Sequence, residues 1–500
     1  MTIKEKLQIL ISIENDIDLN NITFKKTNVW PFIRSCISDY NFKVVETKQV
    51  AQLNIKGKIL DFFIQKKKEL DHLKYAWANY QRISESAVIS EKIKDRTDIV
   101  FLAKNIERSI TSNGSTISKF ADSFKSIVSP EYSVDIFEYN SVDEDSSASD
   151  PTVHSLESVI HKARFLSRLA IFVRITPFFN KNAFTEFKEI LCLTVPSVSS
   201  KLSYVEERLY TLFHLKNEFE KILMKKRPKL VVLTCFYGDV SFAIILACKK
   251  LKIKTVELQH GQQGTYHRMY THWPNIPVDG YEMIPDYFWM WGEESLERIN
   301  KWVSKTNTHK AFVGGNPWLA YFLKELKSDI DENDIITKWE KRVLISLQVT
   351  FIPEFILKAI QNSPNICWMI RLHPRAMHEK QKLQDNLNNA GYTNVDFEYA
   401  NSFNIYELFS FIDIQITFWS SVAYEALSFD VNTIIVHENG KEAMRNYIDK
   451  GIFQYAEDKE RLLELITNSE KYFNKEEKKY IETDPTNIKS KVKEIIENKL

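Results

Sequence analysis

Residues 229–267, KLVVLTCFYGDVSFAIILACKKLKIKTVELQHGQQGTYH, decide how the chain is read. A basic stop, Lys225-Lys226-Arg227-Pro228, precedes an apolar, β-branched run from Leu230 to Thr234, the pattern of a strand buried on both faces. The loop Cys235-Phe236-Tyr237-Gly238-Asp239 leads into a helical spacing of Phe242, Ile245, Leu246 and Leu251. A second strand, Lys254 to Leu258, then delivers the chain into Gln259-His260-Gly261-Gln262-Gln263-Gly264. In open parallel sheets, ligands bind beyond the carboxyl ends of the strands, and Asp239 and His260 both fall there. Glycines at 261 and 264 predict close backbone approach to a ligand or a left-handed turn. A histidine that closes a strand is commonly a satisfied core residue. Here Gln259, Gln262, Gln263 and His267 make its company too polar for a core, which points to function.

Outward from this unit the alternation of strand and helix continues in both directions. Upstream, Asp98-Ile99-Val100-Phe101-Leu102 has the signature of a short buried strand. Downstream, Ile284 to Gly292 and Ala311-Phe312-Val313 running into Gly314-Gly315 supply two more. The charged stretch Lys324 to Lys341 reads as a connection, after which the alternation restarts. Val343 to Leu347 is a strand, Ile352 to Ile360 a helix with Pro353 in its first turn, and Cys367 to Leu372 a strand ending at His373-Pro374-Arg375. Ile412 to Thr417 leads through Phe418-Trp419-Ser420-Ser421 into the helix Val422 to Leu427, and Thr433 to Val436 follows. Such alternation specifies doubly wound parallel sheets, so the chain is α/β with two Rossmann-like domains facing a cleft. The expected division is residues 1–96, a mainly helical extension with an aromatic patch at Trp30 to Arg34; 97–330, the first sheet domain; and 331–500, the second, its last helix packing back on the first.

Five hundred residues exceed one ordinary core, and 44% hydrophobic residues suffice to fill two. A net charge of +1 gives no global field for nucleic acid. The five cysteines are scattered and lack C-x-x-C spacing, which argues against structural zinc or a disulfide framework. The first residues lead into a charged amphipathic segment and not a leader, and no apolar run approaches the ~20 residues of a spanning helix. A cytoplasmic protein is the expectation. The basic amphipathic stretch His161 to Arg174 suits either a core helix with arginines in water or docking on the inner face of the cytoplasmic membrane.

A strand closed by His-Pro-basic, followed some 45 residues later by a strand and Ser420-Ser421-x-x-x-Glu425-Ala426, resembles the GT-B glycosyltransferases. Together with Gln259-His260-Gly261 it is similar to bacterial enzymes that build capsule, lipopolysaccharide and O-antigen, the Kdo and sialic-acid transferases among them. The resemblance covers roughly residues 97–470 and implies transfer of a sugar from a nucleotide-activated donor to a glycan or lipid-linked acceptor. Anionic phosphate in such a donor needs cations, hydroxyls or helix N-termini. Arg371, His373 and Arg375 offer cations, Ser420 and Ser421 N-cap hydroxyls, and Glu425 matches the family's ribose-binding acid. Gln262, Gln263, His267 and Tyr237 are placed on the acceptor side. The His-Pro and Ser-Ser pairing favours a CMP-activated sugar.

The catalytic base stays open between Asp239 and His260, which could also act together, the carboxylate orienting the imidazole. No Asp-x-Asp of a metal-holding transferase is present, so no metal and no cofactor are expected. Two departures stand out: Gln348-Val349-Thr350 replaces a glycine-rich loop, and an acidic-acidic-glycine motif is missing. Nucleotide-sugar 2-epimerases resemble the chain in the same motifs, though they are generally shorter. A non-catalytic carbohydrate-binding protein is the third reading.

Overall fold

The computed structural model describes residues 3–16, 18–39, 55–84, 96–105, 108–110, 116–140, 150–174, 188–189, 192, 202–261, 263, 266–325, 339–469 and 480–500. Its first sheet contains β1 (Ile99–Lys104), β2 (Val134–Tyr139), β3 (Val153–Ser155), β4 (Leu230–Leu233), β5 (Lys254–Leu258), β6 (Tyr287–Met290) and β7 (Lys310–Val313). Their spatial order is 7-6-5-4-1-2-3, and every neighbouring pair is parallel. The second sheet contains β8 (Lys341–Leu347), β9 (Ile366–Leu372), β10 (Val395–Asp396), β11 (Ile414–Thr417), β12 (Asn432–Ile435) and β13 (Gln454–Tyr455), in the order 10-9-8-11-12-13 and again all parallel. Both sheets are therefore doubly wound. Their strand order reverses between β1 and β4 and between β8 and β11, and at such reversals two loops diverge and leave a crevice.

Burial explains why these segments are strands. All four residues of β4 and of β6 are buried, as expected of strands covered on both faces. β2 reads Val-Asp-Ile-Phe-Glu-Tyr, an alternation that suggests one wet face, yet all six residues are buried. Lys226 pairs with Asp135, and Arg108 with Glu138 at 2.7 Å, which makes that burial tolerable.

The longer helices that frame the sheets are α1 (Ile3–Asp16), α2 (Trp30–Asp39), α3 (Ile55–Ser84), α4 (Ala121–Val128), α5 (Glu157–Arg174), α6 (Leu202–Lys226), α7 (Asp239–Leu251), α8 (Glu293–Val303), α9 (Pro317–Glu325) and α10 (Pro485–Ile496). Leu10, Phe24, Trp30, Phe32 and Ile33 share one apolar core with Leu233, Phe242 and Phe288, so the N-terminal segment is built into the first domain. At the other end, α10 starts on an Asp484 cap with Pro485 in its first turn and buries Ile488, Val492 and Ile495 in the first sheet's opposite core. Trp318, Leu319 and Phe322 of α9 lie in an apolar cluster with Leu344, Met369 and Tyr406, which joins the two domains.

α5 packs Phe165 against Trp77 at 4.9 Å, and its Lys162 pairs with Glu218 at 3.1 Å. Its Arg168 pairs with Glu207 and, at 3.5 Å, with Glu69. That helix is thus held between α3 and α6, with its Lys162 and Arg168 engaged by acids. Among the described residues no helix is long and apolar enough to cross a membrane.

The aromatic patch read in the sequence carries a buried polar cluster. Arg34 is fully buried, its guanidinium pairs with the buried Glu14, and Trp30 donates to the same carboxylate at 2.7 Å. The guanidinium also donates to the carbonyls of Arg268 (2.8 Å), Thr271 (3.0 Å) and His272 (2.7 Å), and it stacks 4.0 Å from the Trp273 ring centroid. One side chain of the N-terminal segment thereby fixes the segment that follows the His260 loop. His272, whose carbonyl is so held, sits in the left-handed region at φ 55.

Removing the cation leaves the buried Glu14 carboxylate with no charge partner and the Trp30 N–H as its donor, and takes the guanidinium donors from three carbonyls. Arg34→Met is expected to lower unfolding stability by about 3 to 5 kcal/mol, and Arg34→Lys to recover only part of it, since an ammonium cannot reproduce the planar fork. Urea titration checks both; a loss below about 1 kcal/mol for Arg34→Met would contradict this account.

His309 adds a pH dependence. Its Nδ1 donates to the Pro285 carbonyl at 2.8 Å and its Nε2 accepts from the Tyr281 N–H at 3.1 Å, so the fold needs the neutral ring. Burial first, then Lys249, pushes its pKa down to about 4 from 6.5. A depressed histidine contributes stability that is present above 6.5 and lost as pH falls towards 4. The urea midpoint should fall over that interval, and His309→Gln should flatten the slope.

Candidate functional site

The β1/β4 crevice and the end of β5 carry the first half of the site. After β4 the chain turns through Thr234 to Gly238, and after β5 through Gln259 and His260. Gln259 is buried and acts as a strut: its Oε1 accepts from the Trp291 N–H at 2.8 Å and its Nε2 donates to the Gly261 carbonyl at 3.0 Å. The loops after β5 and β6 are thereby tied. Gly261 does not adopt the left-handed turn, and open space stands where a Cβ would be. Gly264 and Gln262 lie outside the described residues. Gln263 is buried, and its carbonyl accepts from Arg298 at 2.9 Å.

His260 has 27% of its side chain accessible, with Nδ1 4.0 Å from Glu257 Oε1. Burial, then Lys104 and His267, then Lys119, push its pKa down to about 3, against a hydrogen bond to the Thr234 backbone. The ring is neutral at physiological pH. Glu257, on β5, is fully buried; the Tyr270 hydroxyl donates to its Oε1, and burial holds its carboxyl well above the usual range. A carboxyl held towards its protonated form beside a neutral imidazole can hold or relay one proton at the wall of the cleft.

Tyr237 and His267 join this cluster. His267 Nδ1 accepts from the Met269 N–H at 3.2 Å, which leaves the proton on Nε2, 3.5 Å from the Tyr237 hydroxyl. Its ring lies 4.6 Å from that of Tyr270, and burial first, then Arg268, lowers its pKa to about 4.

Asp239 is placed differently. It opens α7, and both its oxygens accept from Arg208: Nε at 3.0 and 2.9 Å, Nη2 at 2.6 Å. Arg208 Nη1 lies 3.3 Å from Cys36 Sγ, and the guanidinium packs over Phe32 at 5.1 Å. Asp239 thus ties α6 and α2 to the start of α7. The carboxylate beside His260 is Glu257, a residue the sequence reading passed over. Its one signal was an acid inside an otherwise apolar strand.

The second half lies at the β8/β11 crevice. Gln348 Oε1 accepts from Thr417 Oγ1 (3.1 Å), the Phe418 N–H (3.1 Å) and the Trp419 N–H (3.2 Å), while its Nε2 donates to the Ser346 carbonyl at 2.8 Å. A side-chain amide therefore organises the loop where a glycine-rich turn was missed. Ser420 Oγ accepts from the Val422 N–H at 3.3 Å. Ser421 occupies the cap position of the short helix Val422–Ala426, and its own hydroxyl makes no cap bond. Glu425 is buried and accepts from the Tyr406 hydroxyl.

On β9, Arg371 Nη1 donates to the carbonyls of Ala400 (2.6 Å) and Phe403 (2.7 Å), and burial lowers its pKa to about 10. Its guanidinium thus braces the 400–403 segment. His373 is exposed at the end of β9, and the backbone of Arg375 lies in the turn Pro374–Glu379.

One residue joins the halves. Lys119, just ahead of α4, puts its ammonium 3.7 Å from Glu425 Oε1 and 6.0 Å from the Tyr406 ring centroid. The same charge is among those that depress His260. Lys119 thus stands at the junction between the first sheet's wall, which carries His260, and the turn of the second sheet that carries Glu425. A cavity of about 500 Å³, lined by Thr271–Pro274, α8 and Asn446, lies apart from it and includes neither His260 nor Glu425.

No protein-family model and no curated protein matches the chain by sequence. Among solved structures, the Staphylococcus aureus MnaA–UDP co-structure is similar over 81% of this chain and 98% of its own, at 11% identity and a TM-score of 0.46. The Methanocaldococcus jannaschii UDP-GlcNAc 2-epimerase in complex with UDP-GlcNAc and UDP is similar over 79% of this chain and 98% of its own, at 13% identity and a TM-score of 0.45. The wall teichoic acid polymerase TagF soaked with CDPG covers 88% of this chain and 92% of its own, at 10% identity and a TM-score of 0.40.

Proposed function

We propose that this chain is an enzyme acting on a nucleotide sugar held between its two sheets, with the nucleotide against Ser420, Ser421, Glu425 and His373 and the sugar against His260, behind which Glu257 holds or relays a proton. The observation that carries the reading is the Lys119–Glu425 ion pair, which brings the acid matched to ribose binding next to the wall that carries the proton-handling pair. The nucleotide is not specified by these contacts.

Two reactions fit the same cleft. In the first, a sugar passes to a hydroxyl of a glycan or lipid-linked acceptor in surface-polysaccharide synthesis, and His260 takes the hydroxyl proton. In the second, the sugar is epimerised at C2. This reading is supported at least as well, because exchange of a proton at carbon needs one group that takes a proton and one that gives it, and the neutral His260 ring stands beside a carboxyl that burial holds towards its protonated form.

A thermal-shift panel of UDP, CMP, CDP, GDP and their sugars tests the common part. A ligand of the folded state raises the melting temperature by mass action, and no shift with any of them would remove the reading. In D₂O without acceptor, an epimerase exchanges the sugar C2 hydrogen for deuterium. A transferase leaves C2 untouched and releases nucleotide only when acceptor is added.

His260→Ala and Glu257→Gln are each expected to lower turnover by about 10²-fold or more, with nucleotide affinity nearly unchanged. His373→Ala is expected to do the reverse, losing about 1.5 to 3 kcal/mol of nucleotide binding. Unchanged affinity in that variant would take His373 out of the site.

A further inference from the structure

Lys119 has a second consequence, which rests on the nucleotide-sugar reading and goes beyond it. Its side chain is 30% accessible, and among the described residues its ion-pair contact is the 3.7 Å approach to Glu425, whereas Glu425 is 1% accessible and keeps the Tyr406 hydroxyl as a further donor. The lysine can therefore leave without stranding a buried carboxylate, and its flexible stem lets the ammonium swing. In any nucleotide the ribose hydroxyls and the first phosphate are a few bonds apart. A cation touching the acid that would hold the ribose is within reach of that phosphate.

We propose that Lys119 is the first domain's phosphate-binding residue, paired with Glu425 in this structure and passing to the nucleotide phosphate when the ribose takes the Glu425 oxygen. A phosphate offers the ammonium several oxygens in place of one carboxylate oxygen at 3.7 Å, while Glu425 keeps the Tyr406 hydroxyl and gains those of the ribose, so the exchange leaves both charged groups with donors or acceptors. Binding then joins the domains, because the nucleotide is gripped by Glu425 from one sheet and by Lys119 from the other.

The groups facing His260 are Lys104 from β1, Lys119 from the approach to α4, Glu257 from β5 and His267 and Tyr270 from the segment after the loop. Removing the Lys119 charge relieves one of the repulsions that hold His260 down. The acid limb of kcat/KM, which reports loss of the neutral ring, should therefore move to higher pH.

Calorimetric titration of UDP and CMP, each beside its nucleoside, uridine or cytidine, tests the proposal on wild type, Lys119→Met and Lys119→Arg. Methionine keeps the apolar cover over Phe120 and Tyr406, and an unchanged urea midpoint checks folding. Expected is at least a tenfold loss of nucleotide affinity in Lys119→Met, nucleoside affinity within twofold of wild type, recovery of most of the loss in Lys119→Arg, and the shift of the acid limb. Nucleotide affinity within twofold of wild type, or an equal loss for nucleotide and nucleoside, would make Lys119 a domain strut and overturn the proposal. If wild type binds CDP or GDP instead, the same comparison is made with that nucleotide and its nucleoside; if it binds none of the four, the nucleotide-sugar reading fails first and takes this with it.

Discussion

Arg34 is the constraint on which the first domain depends. A guanidinium with no access to water must find partners for its donors, and it finds them in Glu14 and in three carbonyls between residues 268 and 272. Because desolvation of such a charge is costly, the geometry admits little slack. The segment after the His260 loop carries Tyr270, the hydroxyl that meets Glu257, and His267, the ring against Tyr237. The proton-handling cluster is therefore held in place from the N-terminus of the chain, through a side chain more than two hundred residues away in sequence.

Side-chain amides do the comparable work at the crevices. Gln259 ties the loop after β5 to that after β6, and Gln348 collects two backbone donors and a hydroxyl from the loop after β11. Each amide offers donors and an acceptor in one plane, which lets a single residue satisfy loop groups that no strand partner reaches. Loops pinned in this way can present His260 and Ser420 from fixed positions, as a site on a rigid scaffold requires.

The cleft is also unusual in its charge. Lys104 and Lys119 both bear on His260, whose ring stays neutral beside a carboxyl that burial keeps near its protonated form. On the proposed reading, the substrate's phosphate supplies negative charge to these two lysines. Glu425, the one buried acid at the second crevice assigned to substrate, meets a lysine from the other domain, so charge complementarity runs across the seam as well as within each wall.

The sequence by itself determined the architecture. Runs such as Leu230–Leu233, Tyr287–Met290 and Val343–Leu347 are apolar enough to be buried on both faces whatever surrounds them, and their alternation with helical spacing admits few folds besides two doubly wound sheets. It also brought out His260, Ser420, Ser421 and Glu425, because strand ends and turns are visible as local pattern. Tertiary structure decided the rest. β2 passes for a half-exposed strand until Lys226 and Arg108 neutralise its acids. Asp239 and Glu257 look alike as carboxylates near strand ends, yet Arg208 from α6 engages the first and Tyr270 meets the second. Lys119 has no local signature at all. Its role follows from where the second domain sits, and pairing across two domains depends on distances in space that sequence spacing does not encode.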